Sequence, residues 1–165
     1  MNQTQAVHGN LMKIADTGVL IQGDPGSGKS RLSLALIDRG HQLIADDMVE
    51  IDSALTGTCP EKLKNHLHLR HVGLLNVAYQ YGAASICESA PIELIVKLDL
   101  KHQAQPAQLS PTFARIDFLG HKTPSILFNP DKEQQPALML EVLVNYFYIQ
   151  YKHVDNSTLS NNGIQ

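Results

Sequence analysis

Apolar and polar positions follow two different periods along this chain, and the switches between them mark its elements. Val19-Leu20-Ile21-Gln22 is a short, β-branched and apolar run that stops at Gly23, which predicts a buried strand. Over residues 29–39 the period becomes helical: Leu32, Ala35 and Leu36 share one face at i, i+3 and i+4, and Gly40 is placed to end the helix. His41-Gln42-Leu43-Ile44-Ala45 predicts a second strand that delivers Asp46 and Asp47 at its C-terminal end. Strand, helix, strand is a βαβ unit, and such crossovers normally join parallel strands.

The later pattern is weaker. Residues 60–69 predict a short helix, and Gly73-Leu74-Leu75-Asn76-Val77 a turn leading into an apolar segment. Residues 92–100 alternate as a strand, with Ile92, Leu94, Val96 and Leu98 on one side. Residues 102–111 read as a loop, and Ile126-Leu127-Phe128 as a short strand. Residues 136–151 predict the last helix, with Pro136 in its first turn and Leu140, Val144 and Phe147 on one face. No internal repeat is visible. The expected layout is one domain over 1–152 and a polar, disordered tail over 153–165.

Composition narrows the class. At 165 residues the chain fits one ordinary domain, and its 43% hydrophobic and 18% charged content are those of a globular protein. A formal charge of -3 with no dense basic run argues against a nucleic-acid partner. No apolar stretch approaches the ~20 residues that span a bilayer, and the N-terminus lacks the pattern of a signal peptide. Two cysteines, Cys59 and Cys87, are too few for a disulfide framework, which points to a reducing cytoplasm.

The chemistry sits where strand turns into helix. Gly23-Asp24-Pro25-Gly26-Ser27-Gly28-Lys29-Ser30 satisfies G-x-x-x-x-G-K-[ST] in full, with an apolar strand before it and an amphipathic helix after it. Glycines let the backbone wrap around phosphate oxygens, and the helix adds its unpaired N–H groups and positive dipole end. Lys29 is expected on the β- and γ-phosphates, and the Ser30 hydroxyl on Mg²⁺, with ATP as the nucleotide. The expected fold class is therefore α/β: a P-loop nucleotide-binding domain with a central β-sheet flanked by helices. Ligands of open α/β sheets lie beyond the carboxyl ends of the strands, so Asp46 and Asp47 belong beside the phosphates. One can hold Mg²⁺ and the other take a proton from an attacking hydroxyl. His66, His68 and His71 cluster in sequence but lack cysteine partners or a finger spacing, so no zinc site is expected.

These residues also resemble a known family, the C-terminal catalytic domain of HPr kinase/phosphorylase. Val7-His8-Gly9 precedes Gly18-Val19-Leu20-Ile21 at that family's interval, and the glycine-rich loop is similar to its own. Arg39-Gly40-His41-Gln42-Leu43-Ile44-Ala45-Asp46-Asp47-Met48-Val49 resembles its R-G-H-x-L-x-A-D-D-x-V stretch. Gly57-Thr58-Cys59-Pro60, Leu69-Arg70, Gly73-Leu74-Leu75-Asn76-Val77 and Tyr81-Gly82-Ala83 are weaker copies of later segments. The resemblance implies an ATP-dependent serine protein kinase that phosphorylates HPr, a carrier protein of the sugar phosphotransferase system, and also runs the reverse phosphorolysis. It implies Asp46 as the general base, His8 beside it near the phosphate, Ser30 and Asp47 on the metal, and Arg115 on the transferred phosphate. It further implies a cytoplasmic homo-oligomer, typically a hexamer.

Three departures bear on that expectation. His68 stands where the family carries an acidic, metal-associated residue, His71 stands where it carries glycine, and residues 129–136 replace its Pro-Gly-Arg-Asn turn. A nucleotide-binding regulatory module with weak or no catalysis is accordingly the alternative function. A GTPase is disfavoured because no N-K-x-D sequence is present to read guanine.

Overall fold

The computed structural model describes residues 3–103 and 108–153. Twelve strands and three α-helices occur among them. In chain order they are β1 (Gln5–His8), β2 (Asn10–Ile14), β3 (Thr17–Gln22), α1 (Lys29–Asp38), β4 (Gln42–Ala45), β5 (Met48–Ile51), β6 (Thr56–Thr58), β7 (His66–Leu69), β8 (Gly73–Asn76), α2 (Val77–Tyr81), β9 (Ser89–Pro91), β10 (Leu94–Leu98), β11 (Ala114–Phe118), β12 (His121–Phe128) and α3 (Pro136–Phe147). The predicted tail lies outside the described residues apart from His153.

A six-stranded sheet in the order β11-β12-β10-β3-β2-β4 forms the centre. Strands β3, β10 and β12 are parallel, so their carboxyl ends share one edge. The expected unit of strand, helix and strand is present as β3-α1-β4. Its two strands run in the same direction, since each is antiparallel to β2, but β2 lies between them. Helix α1 therefore crosses over a strand that precedes both in sequence.

Side-chain alternation sorts the core into two layers. Met12, Ile14, Val19, Ile21, Leu94, Val96 and Leu98 face Leu32 and Leu36 of α1 and Leu140, Val144 and Phe147 of α3. Leu11, Leu20 and Ile95, one residue out of phase, face Val49, Ile51, Ala90 and Ile92 instead. The second layer is closed by a four-stranded sheet, β1-β5-β6-β9, so helices cover one face of the centre and strands the other. Each fully buried Leu, Ile, Val or Phe contributes about 1.5–3 kcal/mol, which makes these two layers the main source of stability.

Where the structure departs from the pattern, burial explains it. Residues 60–69 hold only a 3-10 turn, Glu61–Leu63, followed by β7, because Leu67 and Leu69 are buried at strand spacing while His68 faces outward. Strand β7 pairs with β8, with His68 opposite Leu74, as a separate two-stranded sheet. Ile92 is buried in the layer opposite to that of Leu94, Val96 and Leu98, outside β10. Helix α3 ends at Phe147, and residues Tyr148–His153 continue with π-type winding.

Helices α1 and α3 are clamped at the surface by Arg39 Nε on Glu141 Oε2 at 2.6 Å. The Arg39 hydrogen bond holds the Glu141 carboxyl below the usual glutamate range, with burial opposing and His41 assisting. A lowered carboxylate pKa stabilises the fold above the unfolded value and loses that contribution as pH falls through the folded one.

At Gly18, β3 of the central sheet meets the end of β9 of the four-stranded sheet closely. A Cβ there would stand 1.7 Å from the Pro91 carbonyl oxygen, a backbone atom that cannot step aside. Gly18→Ala is expected to destabilise the protein by about 3 kcal/mol or more. The urea midpoint should fall with the slope of the transition unchanged.

Candidate functional site

The site is built at two places where the chain passes between the four-stranded sheet and the central one, once in each direction. Gly9 joins β1 to β2, and Asp46-Asp47 joins β4 to β5. The two crossings are bonded to each other, Gly9 N–H donating to Asp47 O at 3.0 Å. A side chain at Gly9 is excluded: its Cβ would lie 2.9 Å from Ile21 O and 3.0 Å from Leu20 Cδ1, and its φ is +153°. Next to it, His8 accepts a hydrogen bond at its carbonyl from Gln22 Nε2 at 3.3 Å, which ties β1 to the last residue of β3. His8 itself is exposed.

The loop from Gly23 to Ser30 leaves β3 at the shared carboxyl edge and runs straight into α1. Gly26 and Gly28 have φ of +83° and +95°, the left-handed region that L side chains rarely adopt. Gly28 is the N-cap and offers no side chain, and α1 has no acid in its first turn, so its leading N–H groups and dipole are left for an anion. Lys29 Nζ folds back onto Gly23 O at 2.7 Å and Asp24 O at 3.4 Å. Ser27 Oγ is buried and has no hydrogen-bond partner among the described residues. A Cβ at Gly23 would come within 2.5 Å of it.

The two adjacent carboxylates are sent in different directions. Met48 N–H bonds to Asp46 O at 2.8 Å across Asp47, whose φ is +69°. An i to i+2 bond around a positive φ is a γ-turn of the rarer, strained hand. Asp46 turns inward and is 7% exposed, accepting from Ser30 Oγ at 2.8 Å and from His68 N–H at 2.9 Å. Asp47 is exposed. It is thus Asp46, and not Asp47, whose carboxylate meets the P-loop serine.

His8, the 23–30 loop, Asp46 and Asp47 are brought together by these contacts. Arg115 is not. It lies on β11, at the far edge of the central sheet, opposite Pro124 of β12. Three strand spacings, ~14 Å, separate β11 from β3. A position on the transferred phosphate is therefore not supported for Arg115 within this chain, because its stretch folds into an edge strand instead of a loop over the site. His68 reaches Asp46 only through its backbone, and its side chain is exposed. The sequence reading missed Asn10 and Ser33, both fully buried polar residues behind the site. The signal available for Asn10 was a polar residue directly before an apolar strand. A cavity of about 670 Å³ lies elsewhere, between β11, β12 and α3, and includes no residue of the 23–30 loop.

Two hard oxygen donors, the Ser30 hydroxyl and the Asp46 carboxylate, suit a magnesium ion. Among the described residues no group of three or more His, Cys, Asp or Glu is placed to hold a metal. Water and phosphate oxygens would have to complete the shell, which is the usual arrangement for Mg²⁺ at a nucleotide.

Fold and site together define a P-loop α/β domain with a paired-aspartate edge. The chain belongs to the HPr serine kinase C-terminal domain family, whose model matches residues 1–162. It is 33% identical over 158 residues to an HPr kinase/phosphorylase of Azoarcus, covering 92% of this chain and 50% of that protein. With the HPr kinase/phosphorylase of Leptothrix cholodnii it shares 34% identity over 159 residues, 90% of this chain and 47% of the other. The chain thus spans about half the length of these curated relatives. The solved structure of the Hpr(Ser) kinase/phosphatase from Coxiella burnetii superimposes with a TM-score of 0.86 at 31% identity, covering 93% of this chain and 96% of that one. No helix among the described residues is long and apolar enough to cross a membrane.

His71, which replaces a family glycine in the resemblance, has φ of +71°. A non-glycine residue in this region costs about 1–2 kcal/mol. His71→Gly is expected to recover about 1 kcal/mol, part of the gain being offset by the greater freedom of glycine in the unfolded chain. A higher urea midpoint would register it.

Lys29→Ala is expected to abolish ATP–Mg²⁺ binding in calorimetry, since backbone N–H groups alone leave the triphosphate charge uncompensated. A melting curve run alongside separates lost binding from a loosened loop, because Lys29 also bonds Gly23 and Asp24.

Proposed function

We propose that this chain is the catalytic part of a serine protein kinase that binds ATP with Mg²⁺ in the 23–30 loop. Its acceptor is a seryl hydroxyl on an HPr-type carrier protein of the phosphotransferase system, in the cytoplasm. The observation that carries this reading is the 2.8 Å contact between Ser30 Oγ and Asp46, with Asp47 exposed at the next position. It supplies one oxygen pair for a metal and one free carboxylate for a proton. Family membership supports the class of reaction, and the loss of no P-loop residue supports nucleotide use.

The loop N–H groups and Lys29 hold the triphosphate, while Ser30 and Asp46 would hold Mg²⁺. When bound, that ion neutralises charge on the β- and γ-phosphates. Asp47 accepts the proton of the seryl hydroxyl as its oxygen bonds to the γ-phosphorus. The bond from that phosphorus to the bridging oxygen breaks, and ADP leaves with the electron pair. In the reverse direction inorganic phosphate attacks the seryl phosphate, pyrophosphate forms, and Asp47 returns its proton to the serine oxygen. His8, on the strand beside Asp47, stands at the rim of this site. The expectation from resemblance gave the base to Asp46 and the metal to Asp47. The contact with Ser30 and the exposure of Asp47 support the opposite division.

Incubation with γ-labelled ATP, Mg²⁺ and an HPr-type carrier, followed by mapping, should yield phosphoserine. Asp47→Asn is expected to keep nucleotide affinity and lose about 10²–10⁴-fold in turnover, the contribution of a positioned base. Asp46→Asn is expected to raise the Mg²⁺ needed for half-maximal turnover. Loss of turnover confined to Asp46→Asn at saturating Mg²⁺ would restore the original division of roles. Nucleotide binding by the wild type with no phosphoserine in any carrier would leave a regulatory nucleotide-binding module.

A further inference from the structure

Asn10 is the first residue of β2 and is fully buried at 0% exposure, as is Ser33 in the second turn of α1. Asn10 Nδ2 donates to Ser33 Oγ at 3.0 Å, and Ser33 Oγ donates to Lys29 O at 2.9 Å. The other end of the same amide, Oδ1, accepts from Asp47 N–H at 2.9 Å. The orientation of the amide is fixed by chemistry, because a backbone N–H requires an oxygen opposite it. One buried side chain thus bridges the helix that starts at the P-loop lysine and the backbone of the exposed aspartate.

That backbone needs support. Asp47 stands at φ +69° in a strained γ-turn, a conformation that persists only where the surroundings hold it. Two bonds hold it from outside the turn: Gly9 N–H on its carbonyl and Asn10 Oδ1 on its N–H. The first is a main-chain contact that uses no side chain. The second depends on the identity of residue 10, and it leads from the Asp47 backbone to α1, beside the bond that Asp46 Oδ1 accepts from Ser30 Oγ. Burying an amide costs free energy unless every group on it is satisfied, and here the satisfied groups lead straight to the site.

We infer that Asn10 is a positioning residue for phosphoryl transfer, which fixes the Asp47 carboxylate relative to the P-loop helix without touching either substrate. The inference rests on the phosphotransfer reading given above for Asp47. Without Asn10 the turn relaxes, and Asp47 moves against a triphosphate that stays in place. A shift of about 1 Å between a base and its hydroxyl costs on the order of 100-fold in rate.

The test uses Asn10→Val and the double variant Asn10→Val/Ser33→Ala. The valine leaves two buried groups unpaired, the Asp47 N–H and one side of the Ser33 hydroxyl, and the double variant removes the second. Four quantities are read on each: melting midpoint, ATP–Mg²⁺ affinity, turnover on the carrier, and hydrogen exchange at the Asp47 amide. Positioning by Asn10 predicts that turnover falls about 100-fold while nucleotide affinity stays within about twofold, the pattern of an interaction that matters in the transition state. It also predicts that the double variant recovers part of the melting midpoint and none of the turnover, with the Asp47 amide exchanging fast in both. Turnover that recovers together with the melting midpoint, or an Asp47 amide as protected as in the wild type, overturns the inference. A wild type with no transfer on any carrier defeats the kinase reading instead, and the Asp47 amide then decides the positioning claim on its own.

Discussion

The structure turns on one hydrogen bond between two places where the chain changes sheets. Gly9 N–H meets Asp47 O at 3.0 Å, and each residue lies where the chain passes between the four-stranded sheet and the central one. Because the crossings are locked together, β1 and β5 pair from His8 opposite Met48 outward, and β2 and β4 pair on the other side. The contact requires glycine at position 9, since Ile21 O stands 2.9 Å from where a Cβ would be. His8 and the two aspartates flank this junction, and the glycine-rich loop reaches it through Gln22 at one end and Ser30 at the other.

Asp46 adds the third sheet to the same point. Its carboxylate takes Ser30 of α1 on one oxygen and the His68 N–H of β7 on the other. Holding a buried carboxylate on a serine hydroxyl and a main-chain amide satisfies both oxygens, which is the condition for tolerating it inside. The strained turn at Asp47 then does something a relaxed strand end cannot. It turns the chain from β4 into β5 within a single residue while holding Asp46 inside and leaving Asp47 exposed. Chemical difference between identical neighbours comes from the backbone.

What could be read from the sequence was whatever is local and strongly periodic. Strand β3, the glycine-rich loop, α1, β4 and the buried face of α3 all follow from spacing within one element, and the structure places them within a residue or two of expectation. Strands β1, β5, β6 and β9 were not legible, because three- and four-residue strands carry no period of their own and exist through partners tens of residues away. Strand β2 has five residues and an adjacent partner in β3, and what leaves no local mark is its insertion between β3 and β4. Residues 60–69 misled for another cause: alternating His and Leu fit a strand, but the Pro60-Glu61 start has the signature of a helix. Of the site, the loop and the aspartates were legible as types, and the opposite orientations of the two aspartates were not, since a γ-turn leaves no mark in a pair of aspartates. Arg115 lies in a stretch whose pairing with β12 is a tertiary constraint that its own residues do not announce.

The departures at His68 and His71 acquire a physical meaning from this arrangement. The junction is made by main-chain groups: Gly9 N–H, Asp47 N–H and O, His68 N–H and the loop amides. Such groups survive a change of side chain, so histidine at position 68 presents its N–H to Asp46 as any residue other than proline does. What changes is the outer face of the β7-β8 hairpin, where His68 stands opposite an exposed Leu74 and Val72 is exposed at the turn. The backbone geometry of the junction is thus left alone by the substitutions, and the outer face of the hairpin is what they alter. A family can hold the first constant and vary the second, and this chain does so within a hairpin whose inward residues, Leu67 and Leu69, remain buried in the common core.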